Sequence, residues 1–112
     1  MIKLYDYILS GSCYKVRLML NILNVEYEAV PVDFYPGLEH KKPDFLALNP
    51  LGQLPVLTDD ELILRDAQSI LLYLVSKYDA ANTWFPEDAA TRGQVAMWTA
   101  FGGDEIMAAS AA

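Results

Sequence analysis

The hydrophobic pattern at the start of the chain predicts a strand, a helix and a second strand. Ile2 and Leu4 alternate with polar neighbours, which is typical of a half-buried strand over residues 2–7. After a Ser-Gly-Ser turn, apolar residues recur at helical spacing: Val16, Met19, Leu20 and Leu23. Residues 27–32 predict a second strand, and Pro31 restricts it to a sheet edge because proline cannot donate to a ladder. This order predicts a right-handed crossover and a parallel pair of strands.

The middle of the chain predicts a connecting helix, a hairpin and a long helix. A short helix near Asp44–Leu48 ends before Asn49-Pro50, since a residue that precedes proline avoids the helical conformation. Two apolar runs, residues 55–57 and 62–64, flank a polar tetrapeptide and predict the hairpin. A helical stripe follows, formed by Ala67, Ile70, Leu71, Leu74 and Tyr78. The order βαβ-α-ββα predicts an α/β domain with a mixed four-stranded sheet over residues 1–79.

The composition changes after residue 79, where Ala80-Ala81-Asn82 predicts a linker. Pro86 and the acids after it suit the first turn of a further helix, because proline fits the first helical position and acids suit the positive end of the dipole. Large apolar side chains cover more than one face of this helix: Val95, Met97, Trp98, Phe101, Ile106 and Met107. Gly102-Gly103 is expected to bend or end it, since each glycine costs about 1 kcal/mol.

Composition and charge exclude several function classes. The 112 residues suffice for one compact domain, and 54% of them are hydrophobic, as in a folded protein. The 15 acidic against 8 basic residues give a net charge of −7, which excludes a general binder of nucleic acid or of anionic membranes. The longest fully apolar run, Ile70–Val75, is far shorter than the roughly 20 residues of a membrane span, and no signal peptide is visible.

The cysteine and histidine counts add two expectations. A single cysteine forms no internal disulfide, which predicts a reducing, cytoplasmic setting. One cysteine and one histidine cannot supply a structural zinc site, so no metal is expected.

The segment Ser10-Gly11-Ser12-Cys13 lies between the first predicted strand and the first predicted helix. A hydroxyl at a helix N-terminus can donate to a bound thiolate, and the helix dipole there favours negative charge. Two plainer interpretations stay open: Ser10 or Ser12 caps the helix, and Cys13 is a small buried residue rather than a nucleophile.

A second candidate is the turn that ends in Gly52-Gln53-Leu54-Pro55. A cis bond before Pro55 would turn the backbone N–H and C=O of Leu54 out of the ladder. These groups could then pair with the backbone of a peptide-like ligand, as an added strand does. An ordinary turn is the alternative.

Two further segments carry charge that suits an anionic peptide. At Arg65-Asp66-Ala67-Gln68-Ser69 the second long helix opens, and its N–H groups suit a carboxylate while Asp66 could accept from an ammonium; the alternative is that Asp66 only caps the helix. The basic cluster His40-Lys41-Lys42 could hold a carboxylate, or it is a solvated charge run with a surface histidine.

Together the three blocks 4–17, 40–57 and 64–74 resemble a known family. Their order and spacing are similar to the N-terminal, thioredoxin-like domain of cytosolic glutathione transferases, in the serine-using phi-like and bacterial branches. The resemblance implies a thioredoxin-like domain over residues 1–79, followed at residues 80–112 by the first helix of an incomplete all-helical domain. It also implies glutathione as co-substrate.

The resemblance implies a role for each matching residue. Ser10 would be the catalytic serine that stabilises the glutathione thiolate. The residues implied to bind glutathione are Ser12, His40, Lys41, Gln53, Leu54, Asp66 and Ala67. Asp66-Ala67 stands where the family usually has Glu-Ser, and the missing hydroxyl removes a hydrogen bond worth roughly 1.5–3 kcal/mol. We therefore expect glutathione binding to be retained but weakened.

Three functions stay open at this point. The leading one is conjugation of glutathione to a hydrophobic electrophile, with Ser10 as hydrogen-bond donor. The second is glutathione-dependent redox or dehalogenation chemistry through Cys13, and the third is a non-catalytic glutathione-binding or assembly module. A molecule that ends at Ala112 is expected to lack most of the electrophile pocket and to bury its last helix in a homodimer.

Overall fold

A computed structural model describes residues 1–103, and in this part of the chain it has four strands and four helices. In chain order these are β1 (Ile2–Asp6), α1 (Gly11–Ile22), β2 (Tyr27–Pro31), α2 (Pro43–Leu48), β3 (Val56–Asp59), β4 (Leu62–Arg65), α3 (Ala67–Tyr78) and α4 (Ala89–Phe101). A short 3-10 helix, Glu39–Lys41, precedes α2. The predicted βαβ-α-ββα order, and with it the α/β fold class, is confirmed.

The sheet is mixed, with strand order β2-β1-β3-β4. β1 pairs parallel with β2, and β3 pairs antiparallel with both β1 and β4. β2 lies at the edge that Pro31 predicts, and the crossover through α1 produces the predicted parallel pair.

Helices cover both faces of this sheet. On one face α1 and α3 bury a core with β1 and β3: Ile2, Leu4, Val16, Leu20, Leu57, Ala67, Ile70 and Leu74. On the other face α2 contributes Phe45, which packs with Val32 and Val56. Because side chains alternate along a strand, the even-numbered residues of β1 face α1, and Tyr5 faces the α2 side.

The strand register brings three chain segments to one end of the sheet. Tyr5 near the end of β1 pairs with Val56, and Val56 also pairs with Arg65 at the end of β4. The turn after β1, the residues before β3 and the start of α3 therefore meet at the same edge. These are three of the segments in which the sequence places candidate chemistry.

The start of α4 differs from the prediction. The helix begins at Ala89 rather than at Pro86, and Asp88 is its N-cap. The Asp88 carboxylate accepts from the Thr91 N–H at 2.8 Å, which satisfies an amide that lacks a helical partner. The α-helix ends at Phe101, and Gly102-Gly103, where a bend or an end was expected, continue it as a π-helical turn, while Ile106 and Met107 lie outside the described residues.

Candidate functional site

A cavity of about 730 Å³ lies at the end of the sheet where the three segments meet. Every residue that the resemblance assigns to the catalytic or glutathione-binding site lines it: Ser10, Ser12, His40, Lys41, Gln53, Leu54, Asp66 and Ala67. Eight further residues line the cavity without being among the predicted site residues: Tyr7, Leu9, Phe34, Gly52, Pro55, Arg65, Gln68 and Gly103. Half of these, Gly52, Pro55, Arg65 and Gln68, belong to the candidate segments of the sequence, and the other four have no sequence signal because their place depends on how the segments meet.

Ser10 caps α1 and borders the cavity at the same time. Its backbone is extended, and its Oγ accepts from the Cys13 N–H at 3.1 Å, so the capping interpretation is confirmed. Accepting this bond leaves the hydroxyl hydrogen available to donate. Capping and ligand binding are therefore compatible, and the cap fixes the direction of the hydroxyl.

Cys13 lies behind Ser10 and is fully buried. Burial raises the pKa of its thiol and the nearby Asp6 carboxylate raises it further, whereas hydrogen bonds with Ser10 and with the Tyr7 backbone oppose this rise. A buried thiol with a raised pKa is a poor nucleophile. Cys13 is not among the residues that line the cavity. These observations favour the buried-residue interpretation.

The Leu54–Pro55 peptide bond is cis, as predicted. The ladder of β3 begins only at Val56, and within residues 1–103 the backbone of Leu54 has no hydrogen-bond partner. Leu54 lines the cavity, so its N–H and C=O form an unpaired backbone edge at the site. Such an edge suits the main chain of a short peptide.

Asn49 and Gly52 hold this edge in place, although the sequence suggested only a helix end and a turn. The buried Asn49 side chain donates to the Gln53 carbonyl at 3.0 Å and accepts from the Leu51 N–H at 3.1 Å. Gly52 has φ +61, and a Cβ there would lie 2.9 Å from the His40 carbonyl oxygen. The loop can therefore approach the 3-10 helix closely only with glycine at this position.

His40 is buried, contrary to the interpretation of a solvated charge run with a surface histidine. It is 4% exposed and its ring stacks on Phe34, with 4.0 Å between the ring centroids. Burial lowers the pKa of His40, and the neighbouring Lys41 lowers it further, so the ring is neutral at neutral pH. Its Nδ1 has no hydrogen-bond partner among the described residues. Lys41 is exposed and is the cation that this segment presents to the cavity.

Asp66 stands at the N-cap position of α3, but its side chain makes no capping hydrogen bond. The interpretation of Asp66 as only a helix cap is therefore wrong. Its backbone has φ 73, a conformation that non-glycine residues rarely adopt and that concentrates at functional sites. Ser69 Oγ donates to the Asp66 carbonyl at 2.9 Å, which holds the first turn together. Asp66 is exposed and lines the cavity, and its carboxylate is not used by the helix.

Residues 1–103 offer neither a cluster of metal ligands nor a helix suited to a bilayer. No group of three or more histidine, cysteine and acidic side chains in this range could hold a metal ion. No helix in the same range has the length and apolar character to cross a bilayer.

Known proteins match this chain in both sequence and structure. A family model described as "Glutathione S-transferase, N-terminal domain" matches residues 4–82. The chain belongs to this family. The glutathione S-transferase 3 of Zea mays is 39% identical to it over 97 residues, which cover 87% of this chain and 43% of the maize protein. The resemblance seen in the sequence is thereby confirmed.

Solved structures of glutathione transferases share the fold. Glutathione Transferase E6 from Drosophila melanogaster superimposes with a TM-score of 0.89 at 33% identity, covering 93% of this chain and 47% of the fly protein. Human glutathione transferase theta-2, whose structure is a complex with glutathione and an unknown ligand, superimposes with a TM-score of 0.85 at 31% identity, covering 93% of this chain and 42% of the human protein. The chain spans less than half the length of these relatives.

Proposed function

We propose that this chain binds reduced glutathione in the 730 Å³ cavity and that the protein conjugates its sulfur to an electrophile. The observation that carries the proposal is the convergence of three unlike groups on one cavity. These are the Ser10 hydroxyl at the start of α1, the unpaired backbone of Leu54, and the uncommitted carboxylate of Asp66.

Each part of the tripeptide has a matching partner at the site. The cysteinyl main chain pairs with Leu54, which places its sulfur at Ser10. The γ-glutamyl ammonium meets the Asp66 carboxylate, and its α-carboxylate meets the first N–H groups of α3 at Ala67. The glycine carboxylate meets Lys41 beside His40 and Gln53. Ser12, in the first turn of α1, adds a polar side chain to the wall near the sulfur.

Ser10 acts as a hydrogen-bond donor rather than as a nucleophile. A thiolate that accepts a hydrogen bond and faces the positive end of α1 is stabilised over the thiol, so more of the bound glutathione is ionised near neutral pH. The thiolate carries out the attack, and the protein supplies electrostatic stabilisation. No protein-bound intermediate is involved in this mechanism.

A second, largely apolar cavity supports a hydrophobic electrophile. It has a volume of about 510 Å³ and lies between α3 and α4, with Leu72, Val75 and Val95 in its wall. Asp66 and Gln68 line both cavities, so the second cavity adjoins the glutathione site. We propose residues 1–79 as the glutathione-binding domain and residues 80–112 as the start of the helical domain that completes the electrophile pocket.

The same proposal includes a homodimer and a cytoplasmic setting. Large apolar side chains on α4 are exposed, among them Met97, Trp98 and Phe101. Patches of this kind drive association when nothing else covers them. The single free cysteine fits a reducing compartment, where thiols persist.

Calorimetry with glutathione tests the proposal on the wild-type chain and on Ser10→Ala. We expect Ser10→Ala to bind glutathione with little loss but to abolish the thiolate absorbance of the bound tripeptide. Ser76→Ala, an exposed serine on α3, is the matched control and should change neither quantity. Absence of binding by the wild-type chain would contradict the proposal, and so would a thiolate signal that survives in Ser10→Ala.

A non-catalytic binding module is the second candidate, because Ala67 lacks the hydroxyl that the family usually places beside the γ-glutamyl group. Retention on immobilised glutathione, with turnover at the background rate, would favour it. The redox alternative requires an accessible Cys13, and alkylation of the folded chain tests that requirement directly.

A further inference from the structure

An ion pair between Asp6 and Arg17 lies directly behind the serine that faces the cavity. Asp6 is the last residue of β1, and its side chain is on the face that α1 covers. Arg17 Nη1 donates to Asp6 Oδ1, and the two side chains are only 17% and 12% exposed for Arg17 and Asp6. Neither residue lines the cavity, and neither has a role in the proposed function so far.

Arg17 connects α1 to the turn that carries Ser10. The Ser10 N–H donates to the Tyr7 carbonyl at 2.9 Å, which closes a tight turn over residues 7–10. Arg17 donates to Asp6, which is the residue directly before this turn. Its Nη2 also donates to the Ile8 carbonyl inside the turn, over a longer distance of 3.4 Å. A side chain fixed at both points restricts where the turn, and therefore the Ser10 hydroxyl, can lie.

The pair also determines the charge behind Ser10. The Cys13 N–H donates to Ser10 Oγ at 3.1 Å, and the Asp6 carboxylate raises the pKa of the Cys13 thiol, so both groups lie beside Cys13. An unpaired carboxylate at this place would oppose a second negative charge at Ser10. The guanidinium of Arg17 cancels it through a buried contact that solvent screens weakly.

We propose that Arg17 is a positioning residue of the thiolate site, which holds the turn over residues 7–10 and cancels the charge of Asp6 so that Ser10 can stabilise an anionic sulfur. This inference rests on the proposed function. Other titratable groups face the same region: Tyr7 from the turn, Cys13 from α1, His40 and Lys41 from the 3-10 helix, and Arg65 and Asp66 before α3. Lys41, Arg65 and Asp66 are exposed, so solvent screens their charges. The side chains of Asp6 and Arg17 are less exposed than these three, so their charges are screened less.

The test measures the pKa of the bound glutathione thiol, by titrating its thiolate absorbance, in Arg17→Gln, in Asp6→Asn and in the double variant. Arg17→Gln leaves the carboxylate uncompensated, so we expect the thiol pKa to rise by about one unit, a roughly tenfold loss of thiolate near neutral pH. Asp6→Asn should not raise it, and the double variant should recover most of the loss, because the uncompensated charge is gone although the turn is no longer held by Arg17. In Arg17→Gln the affinity for glutathione should change less than its ionisation.

A role in folding only would give a different result. It predicts that all three variants lose binding and stability together, and this outcome would overturn the inference, as would an unchanged thiol pKa in a folded Arg17→Gln chain. If Arg17→Gln fails to fold, Arg17→Lys keeps the charge but not the forked contact, and it should retain most of the thiolate. Lys3 lies on β1 like Asp6 and forms an exposed ion pair with Glu28 of β2, so Lys3→Gln is the control and should leave the thiol pKa unchanged.

The outcomes distinguish this inference from the proposed function. A wild-type chain that does not bind or ionise glutathione contradicts the proposed function itself. A wild-type chain that does both, with an Arg17→Gln variant that ionises glutathione equally well, overturns only the role of Arg17.

Discussion

Gly52 and His40 are in close backbone contact, although eleven residues, among them the whole of α2, lie between them in the sequence. A Cβ built on Gly52 would lie 2.9 Å from the His40 carbonyl oxygen, closer than real Cβ contacts allow. This contact joins the loop that carries Gln53 and Leu54 to the 3-10 helix that carries Lys41. The contact thus connects two walls of the 730 Å³ cavity.

Gly52→Ala should therefore weaken both folding and binding. The substitution combines a steric clash with a φ of +61 that alanine adopts reluctantly, so we expect a loss of about 1–3 kcal/mol in the free energy of unfolding. Glutathione affinity should fall as well, because the loop must move away from the 3-10 helix. Urea denaturation and calorimetry measure the two effects.

Gly93→Ala is the control for this substitution. Gly93 lies inside α4 and a Cβ there meets nothing within 4 Å, so alanine should stabilise the chain by about 1 kcal/mol. Equal stability of Gly52→Ala and the wild-type chain would show that the loop does not need its close approach.

Asn49→Ala should destabilise the same loop, residues 49–54, by removing the hydrogen bonds inside it. The buried amide satisfies the Gln53 carbonyl and the Leu51 N–H, and its removal leaves these groups without partners at a cost of about 1–3 kcal/mol. Because Leu54 directly follows Gln53, we expect glutathione affinity to fall along with the free energy of unfolding. Asn21→Ala, at an exposed position of α1, should change neither stability nor affinity by much. Wild-type affinity in a folded Asn49→Ala chain would contradict this prediction.

The fold could be predicted because the hydrophobic pattern of each helix and strand is visible within its own segment. The apolar stripe of α3 and the alternation of β1 coincide with buried residues, and the order of the helices and strands along the chain allows few topologies. The predicted start of α4 was wrong because a proline signal and a capping signal lie within three residues of each other. The cap at Asp88 outweighs the preference of Pro86 for the first helical turn.

The residues of the candidate site could be proposed from the sequence, whereas the contacts that support them could not. Ser10, Leu54 and Asp66 carry recognisable motifs, so they could be named from sequence. The burial of His40 depends on Phe34 and on the approach of Gly52, which are tertiary contacts without a periodic signal. The Asp6–Arg17 pair was missed for the same reason: a charged residue at the end of a strand gives no indication of what covers it.

The burial of His40 predicts a pH dependence of stability. Its pKa is lower in the folded chain than in the unfolded chain, so the unfolded state binds the extra proton. Its contribution to stability is therefore complete above the unfolded pKa near 6.5 and is lost as the pH falls through that value toward the lower folded pKa. A single titrating group can change the free energy of unfolding by at most about 1.4 kcal/mol per pH unit.

His40→Gln removes this titration, and urea unfolding at several pH values between neutral and mildly acidic measures it. We expect the wild-type chain to lose more stability than His40→Gln over this range. Asp59, whose pKa is lowered by hydrogen bonds from Lys77 and Tyr73, contributes at more acidic pH in both proteins and therefore cancels in the comparison. Parallel curves for the two proteins would show that His40 titrates alike in the folded and unfolded chains.

The exposed face of α4 predicts self-association. Trp98 is 64% exposed and makes an edge contact with Phe101, while Met97 beside them is 55% exposed. Covering such a surface gains roughly 25 cal/mol for each Å² of apolar area removed from water, so binding of a second copy of the chain to this face should be favoured.

Sedimentation equilibrium of the wild-type chain should show a dimer. Trp98→Gln should raise the dissociation constant of the dimer tenfold or more, which corresponds to about 1.4 kcal/mol. Ile22→Gln, an exposed apolar position on α1, is the control and should leave the dimer intact. A monomeric wild-type chain with α4 protected from hydrogen exchange would refute the prediction, because the apolar face would then be stable without a partner.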